Sequence, residues 1–169
     1  FFELIKAELP SNLSTLALLK QAKDEEGQSL SDVLIRDQLL TFVVAGHDTT
    51  ATALAWSLYE LARHPDVKAQ LRQELMTHES SLQTVRTLPY LNAVIKEVLR
   101  LHPPISMGIR RATEDLSIDG YLLPKGTSVV FSPYLTHKSS VYWHEPDAFK
   151  PERFLAKNPA RYQYLPFGA

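Results

Sequence analysis

The sequence predicts a mainly α fold with a small β portion (α+β), and three observations carry that prediction. Of eleven prolines, only Pro10 and Pro65 fall in residues 1–88; the other nine fall in residues 89–169. Gln38 to Tyr59 is a run of 22 residues in which only Asp48 is charged at neutral pH. Leu91, Val94, Ile95 and Val98 recur at helical spacing on one face. Long helices therefore belong to the first half. One further helix, short strands and a coiled meander belong to the second.

Composition sets the outer bounds. The chain has 169 residues, 44% hydrophobic and 22% charged, which is ordinary for a globular domain and excludes a disordered or low-complexity chain. Eighteen Lys/Arg against nineteen Asp/Glu give a net charge of −1, so no basic excess points to nucleic acid as the main partner. There is no cysteine, which excludes disulfides, zinc–thiolate sites and cysteine nucleophiles within these residues.

The elements follow in order. Phe1 to about Lys23 holds apolar stretches broken at Pro10-Ser11-Asn12, and Asp24-Glu25-Glu26-Gly27-Gln28 is a polar turn. A long helix runs from about Ser31 to Arg63, with Ser29 or Ser31 as N-cap and Asp32 at the positive end of its dipole. Pro65 ends it, and Asp66 caps a second helix from Val67 to about His78. A third runs from Pro89 or Tyr90 to Leu101 and stops at Pro103-Pro104. Ile109–Thr113, Leu116–Ile118 and Thr127–Phe131 read as strands, with turns at Asp119-Gly120 and Pro124-Lys125-Gly126. Ser132 to His137 suits a short helix, and prolines from Val141 onward forbid long regular elements.

The long helix raises a question of surroundings. Its 22-residue run is long enough to cross a bilayer. Gly46, four threonines and Asp48 argue against that, since a mid-span Asp costs roughly 3 kcal/mol. The preferred reading is a helix buried on nearly all sides. Such a helix would be roughly 50 Å long at 1.5 Å per residue. A compact domain of this size is only about 40 Å across. The chain therefore reads as a piece of a longer protein, in keeping with its opening at Phe1 and its loop-like close at Leu165 to Ala169.

Three places carry polar chemistry. Ala45-Gly46-His47-Asp48-Thr49-Thr50 sits mid-helix in apolar surroundings. Gly46 lets a large group approach the backbone, and an acid beside a hydroxyl suits proton transfer. A helix–helix contact with a satisfied polar spot is the competing reading. Glu97 and Arg100 are three apart on the third helix, roughly opposite its apolar face. They form either an exposed ion pair or a buried pair completed by another arginine. Arg153, within Pro151-Glu152-Arg153-Phe154, either clamps loops to a carboxylate or lies exposed on a surface loop. The six histidines fall mostly at element ends, where surface and capping roles are usual, and none forms an H-E-x-x-H pair.

Together these segments resemble one family, the cytochrome P-450 haem-thiolate monooxygenases. Ala45 to Thr50 is similar to the family's central-helix motif A/G-G-x-D/E-T-T/S. Glu97-Val98-Leu99-Arg100 resembles its E-x-x-R helix, and Pro151 to Phe154 its P-E-R-F segment. Pro166-Phe167-Gly168-Ala169 resembles the opening of its haem loop, F-x-x-G-x-R-x-C-x-G. Four motifs in family order cover essentially the whole chain, so residues 1–169 are expected to form part of one such domain, with no separate second domain.

The resemblance implies the roles that follow. Asp48 and Thr49 would deliver protons to dioxygen. Ala45, Gly46, Thr49, Arg110, Pro166, Phe167 and Gly168 would contact haem, with Arg110 on a propionate and Arg111 as its competitor. Glu97, Arg100 and Arg153 would form a structural triad. Phe42, Val43, Ile105, Met107 and Ile109 would line a pocket for a lipophilic substrate. The axial cysteine would fall five positions beyond Ala169, so no metal ligand is expected in this chain. The implied reaction inserts one atom of O2 into an organic substrate, with NADPH electrons arriving through a reductase partner. The sequence resembles eukaryotic members, which implies an endoplasmic reticulum membrane for the intact protein. Two rivals from other classes are a His47-Asp48 metal phosphohydrolase and a non-catalytic helical interaction module or pseudo-enzyme fragment.

Overall fold

The structure is a computed structural model and describes residues 14–78, 82–156 and 158–168. The apolar stretch before Ser14, with its break at Pro10, lies outside the described residues. The chain divides into two compact units, residues 1–48 and 49–169.

In the first unit, α1 (Thr15–Gln21) begins at Ser14, whose side chain accepts the Ala17 N–H at 3.1 Å. The acidic turn forms as expected. Asp24 Oδ1 accepts the Glu26 and Gln28 N–H groups at 3.0 and 2.8 Å, and Gly27 supplies a φ of +80°. α2 (Asp32–Arg63), whose residues are divided between the two units at Asp48, follows and runs unbroken through Gly46. Of the two cap candidates it is Ser31 that bonds, its hydroxyl accepting the Leu34 N–H at 3.3 Å.

Within this chain α2 is left largely uncovered, as its length against the size of the domain implied. Leu40, Phe42, Val43, Val44, Leu54 and Leu58 are all exposed. A helix of 32 residues presents more apolar surface than a chain of this size can cover. No helix among the described residues is long and apolar enough to cross a membrane.

The second unit holds the core. α3 (Pro65–Met76) starts at Pro65 itself, with Asp66 inside its first turn. Proline breaks one helix and opens the next because its missing N–H falls where no intrahelical partner exists. α4 (Leu82–Thr87) is a short helix the sequence did not signal, and α5 (Pro89–Leu101) matches expectation. Val67 and Leu71 of α3 pack with Tyr90, Val94, Val98 and Leu101 of α5 and with Phe149. Ala93 packs on another side of α5 with Trp143 and Phe154. The expected apolar face was thus too narrow: α5 is buried on most of its circumference, whereas Ile95 lies exposed.

Beyond α5, β1 (Gly108–Arg111) pairs antiparallel with β4 (Ser128–Phe131), Gly108 opposite Phe131. β2 (Leu116–Ile118) and β3 (Tyr121–Leu123) form a hairpin. Its two turn residues, Asp119 and Gly120, take φ of 49° and 82°, as a primed turn demands. β3 escaped the sequence reading because three largely exposed residues show no alternation. α6 (Pro133–Lys138) is capped by Ser132, and α7 (Arg153–Ala156) is one turn in an otherwise irregular meander.

One contact fixes the entry of α5. No side chain of the adjoining residue caps it. Instead Glu74 of α3 accepts the Tyr90 and Leu91 N–H groups, both at 2.8 Å. A carboxylate there also opposes the positive end of the helix dipole. Glu74→Ala is expected to lower stability by about 1–3 kcal/mol, with Glu74→Gln recovering part of the loss. Urea denaturation midpoints check this; equal midpoints for Glu74→Ala and the parent would contradict it.

Candidate functional site

α5 carries Glu97 and Arg100 to the centre of the second unit, where both are 0% exposed. The exposed ion pair suggested as one reading is therefore not what forms. Arg100 Nε donates to Glu97 Oε2 at 2.7 Å, and Nη2 donates to Oε1 at 2.9 Å. Arg153, at the start of α7, donates from Nε to the same Oε1 at 3.0 Å. The Lys150 N–H donates to it at 2.9 Å.

The remaining guanidinium protons go to the meander's backbone. Arg100 Nη1 donates to the carbonyls of His137 and Pro146, each at 2.7 Å, and Nη2 to that of Ala148 at 3.2 Å. Arg153 donates to the carbonyls of His144, Glu145 and Ala148 at 3.0, 3.3 and 3.3 Å. Trp143 lies against both cations, its ring centroid 5.1 Å from Arg100 and 5.9 Å from Arg153. The last turn of α6 and the irregular stretch 144–148 are thus tied to one helix by two planar cations.

Sequence reasoning missed His137. It is an element-end histidine, the kind expected at a surface or in a cap, yet it is 0% exposed. Its Nε2 accepts the Leu165 N–H at 2.7 Å, and its Nδ1 donates to the Arg100 carbonyl at 3.1 Å. The Tyr164 ring stacks on it at 5.4 Å between centroids. Burial pulls its pKa down from 6.5 to about 4; the nearby Arg100 charge acts the same way, against the hydrogen bond to the Arg100 carbonyl. The one available signal was a helical spacing that set His137 and Pro133 on one inward face of α6.

Tyr164 extends the same arrangement. Its hydroxyl donates to the Lys96 carbonyl at 3.1 Å, and burial raises its pKa, so it stays protonated. Pro166 is buried, Gly168 half-buried with a φ of +95°, and Phe167 is 85% exposed.

The other expected site residues stand at surfaces. Arg110, on β1, is exposed, with its guanidinium 5.2 Å from the centre of the Phe131 ring. Ile105, Met107 and Ile109 are exposed. In the first unit, Phe42 and Val43 are exposed, and nothing lies within 4 Å of where a Cβ on Gly46 would sit. Asp48 is exposed rather than buried, and its Oδ1 is 2.8 Å from His47 Nδ1. Thr49 is half-buried. Among the described residues no group of three His, Cys, Asp or Glu side chains is placed to hold a metal ion, which leaves the phosphohydrolase reading without its ligand set.

The family model for cytochrome P-450 matches residues 3–169. Cytochrome P-450 4V2 of Mus musculus is 40% identical over 91% of this chain and 31% of its own length. Cytochrome P-450 4F6 of Rattus norvegicus is 39% identical over 99% of this chain and 33% of its own length. The solved structure of retinoic acid-bound cyanobacterial CYP120A1 superposes with a TM-score of 0.86 at 35% identity, covering 99% of this chain and 41% of that one. The chain thus spans about a third of the length of the curated relatives it matches.

Two outcomes follow from the buried charges. Glu97→Ala leaves Arg100 and its positive charge without a carboxylate, which is expected to cost about 3–5 kcal/mol. A change below about 1 kcal/mol in chemical denaturation would contradict that. For His137, the unfolded chain binds a proton that the folded chain refuses between pH 6.5 and about 4. Its contribution is present above that window and is lost as pH falls through it. Denaturation midpoints should fall with pH there more steeply in the parent than in His137→Gln; parallel curves would contradict it.

Proposed function

The chain belongs to the cytochrome P-450 family, and on that premise we propose that it is the central part of a haem-dependent monooxygenase. The intact protein inserts one atom of O2 into a lipophilic organic substrate and releases the other as water. Electrons come from NADPH through a reductase partner. The observation that carries this reading is the pairing of Glu97 with both Arg100 and Arg153 in a chain that the family model matches almost throughout.

The residues present fit the rim of a porphyrin and not its iron. Arg110 is an exposed cation held over Phe131, suited to a propionate. Gly46 leaves its helix open where a side chain would project, so a flat group can approach the backbone beside Ala45 and Thr49. Pro166, Phe167 and Gly168 hold a turn whose apolar ring is turned outward. The family's loop pattern, if it opens at Phe167, would take its thiolate from the fifth position beyond Ala169, and these residues themselves contain no cysteine. When bound, the haem supplies activation of dioxygen, promoted by its thiolate ligand.

The chain's own residues then have distinct tasks. Asp48 offers a proton path a carboxylate reachable from water, with His47 beside it. Thr49 passes protons onward through its hydroxyl. Phe42 and Val43 in the first unit, and Ile105, Met107 and Ile109 in the second, each present apolar surface that suits a lipophilic substrate. The retinoic acid of the cyanobacterial neighbour belongs to that class of ligand. The mammalian relatives support an endoplasmic reticulum setting for the intact protein.

The test uses the intact protein, a reductase, NADPH and a long-chain lipophilic acid under isotopically labelled dioxygen. One labelled oxygen atom in the product is expected; label arriving from water instead would overturn the reading. Thr49→Ala should lower product formed per NADPH consumed by about tenfold while NADPH consumption continues. Unchanged coupling would remove Thr49 from the proton path.

A further inference from the structure

His137 has no part in the chemistry proposed above, yet it is as deeply buried as Glu97 and Arg100. Its two ring nitrogens face two different segments. Nε2 accepts from the Leu165 N–H at 2.7 Å, so that nitrogen carries no proton. The ring proton therefore resides on Nδ1, which meets the Arg100 carbonyl at 3.1 Å. A single neutral tautomer satisfies both bonds. An imidazolium would set a second N–H against that of Leu165 and leave the Leu165 amide without an acceptor.

The groups around the ring reinforce that state. Arg100 of α5 donates to the backbone carbonyl of His137 itself at 2.7 Å, while Glu97 pairs with the Arg100 guanidinium. Tyr164 stacks on the ring, and Trp143 meets it edge-on at 6.4 Å.

Leu165 opens a turn. Its carbonyl accepts the Gly168 N–H at 3.1 Å, and Pro166 occupies the second position, where its fixed φ favours a turn. The imidazole thus secures the N–H of the turn's first residue, while the turn itself secures that residue's carbonyl. Pro166 is buried by this arrangement and Phe167 is presented outward.

We propose that His137 is a positioning residue for the Leu165–Gly168 turn: acting through the Leu165 N–H, its Nε2 fixes where Pro166, Phe167 and Gly168 stand relative to α5. The proposal rests on the reading above only in taking this turn as the opening of the haem-binding loop. Its consequence is that the loop's registry depends on one acceptor atom rather than on the bulk of a buried ring.

Two variants of the intact haem-loaded protein separate these. In His137→Gln the side-chain carbonyl reaches the place of Nε2 and can accept from Leu165. In His137→Asn the shorter side chain reaches only the place of Nδ1. Hydrogen exchange at the Leu165 amide is expected to speed up by about tenfold or more in His137→Asn and to remain near the parent rate in His137→Gln. Equal exchange in both variants would overturn the proposal. Should neither variant fold, nitrogen NMR of the parent in its diamagnetic ferrous carbonyl form decides: a protonated Nδ1 with a bare Nε2 supports it, and the opposite tautomer overturns it. Failure of the oxygen-labelling experiment would remove the monooxygenase reading but leave these outcomes to decide the role of His137 in the turn.

Discussion

Arg100 is a guanidinium with no access to water, and its five N–H donors must all be met inside the protein. Glu97 takes two, and the carbonyls of His137, Pro146 and Ala148 take three. The Glu97 carboxylate also receives the Lys150 N–H and Arg153 Nε. An arrangement this complete has little freedom. Loss of any meander carbonyl leaves a buried donor unmet, at about 1–3 kcal/mol or more for a charged group. The requirement for satisfaction, more than attraction between the ions, makes one meander conformation preferable to its alternatives.

That constraint explains how residues 139–168 hold a shape with almost no regular structure. Prolines at 146, 151, 159 and 166 deny the meander long helices or strands. Its anchors are side chains bonding to backbone carbonyls. Apolar clusters flank the charged centre: Val94 and Val98 with Phe149 in one, Ala93 with Trp143 and Phe154 in the other. The meander then delivers Tyr164 to the Lys96 carbonyl and Leu165 to His137. The Phe167 turn is thus tied to α5 by a short series of contacts that starts at Glu97.

Much of this was legible in the sequence, for identifiable reasons. α2 and α5 were visible because long apolar patterns and flanking prolines give strong local signals. The Asp119-Gly120 turn was visible because few residue pairs tolerate two positive φ angles. Glu97 and Arg100 were found but not placed. Periodicity reads them as a polar face, and their burial depends on carbonyls about 40 to 50 positions away. His137 was missed for the same reason, since its partners Arg100 and Leu165 are distant in sequence. Asp48 is the opposite case: its apolar neighbours imply burial in an intact fold, and in this chain those neighbours are themselves exposed. Local pattern reports which residues can face a core, and only the tertiary partners decide which do.

The identity of the iron ligand is the point on which the functional reading turns, because the chain holds Arg110, Gly46 and the Phe167 turn but no thiol. The most direct measurement is the absorption spectrum of the intact protein, reduced and exposed to carbon monoxide. Thiolate ligation predicts the long-wavelength Soret band particular to a ferrous carbonyl haem with a sulfur ligand. A Soret band at the shorter wavelength of an imidazole-ligated carbonyl haem, or no haem band at all, would contradict it.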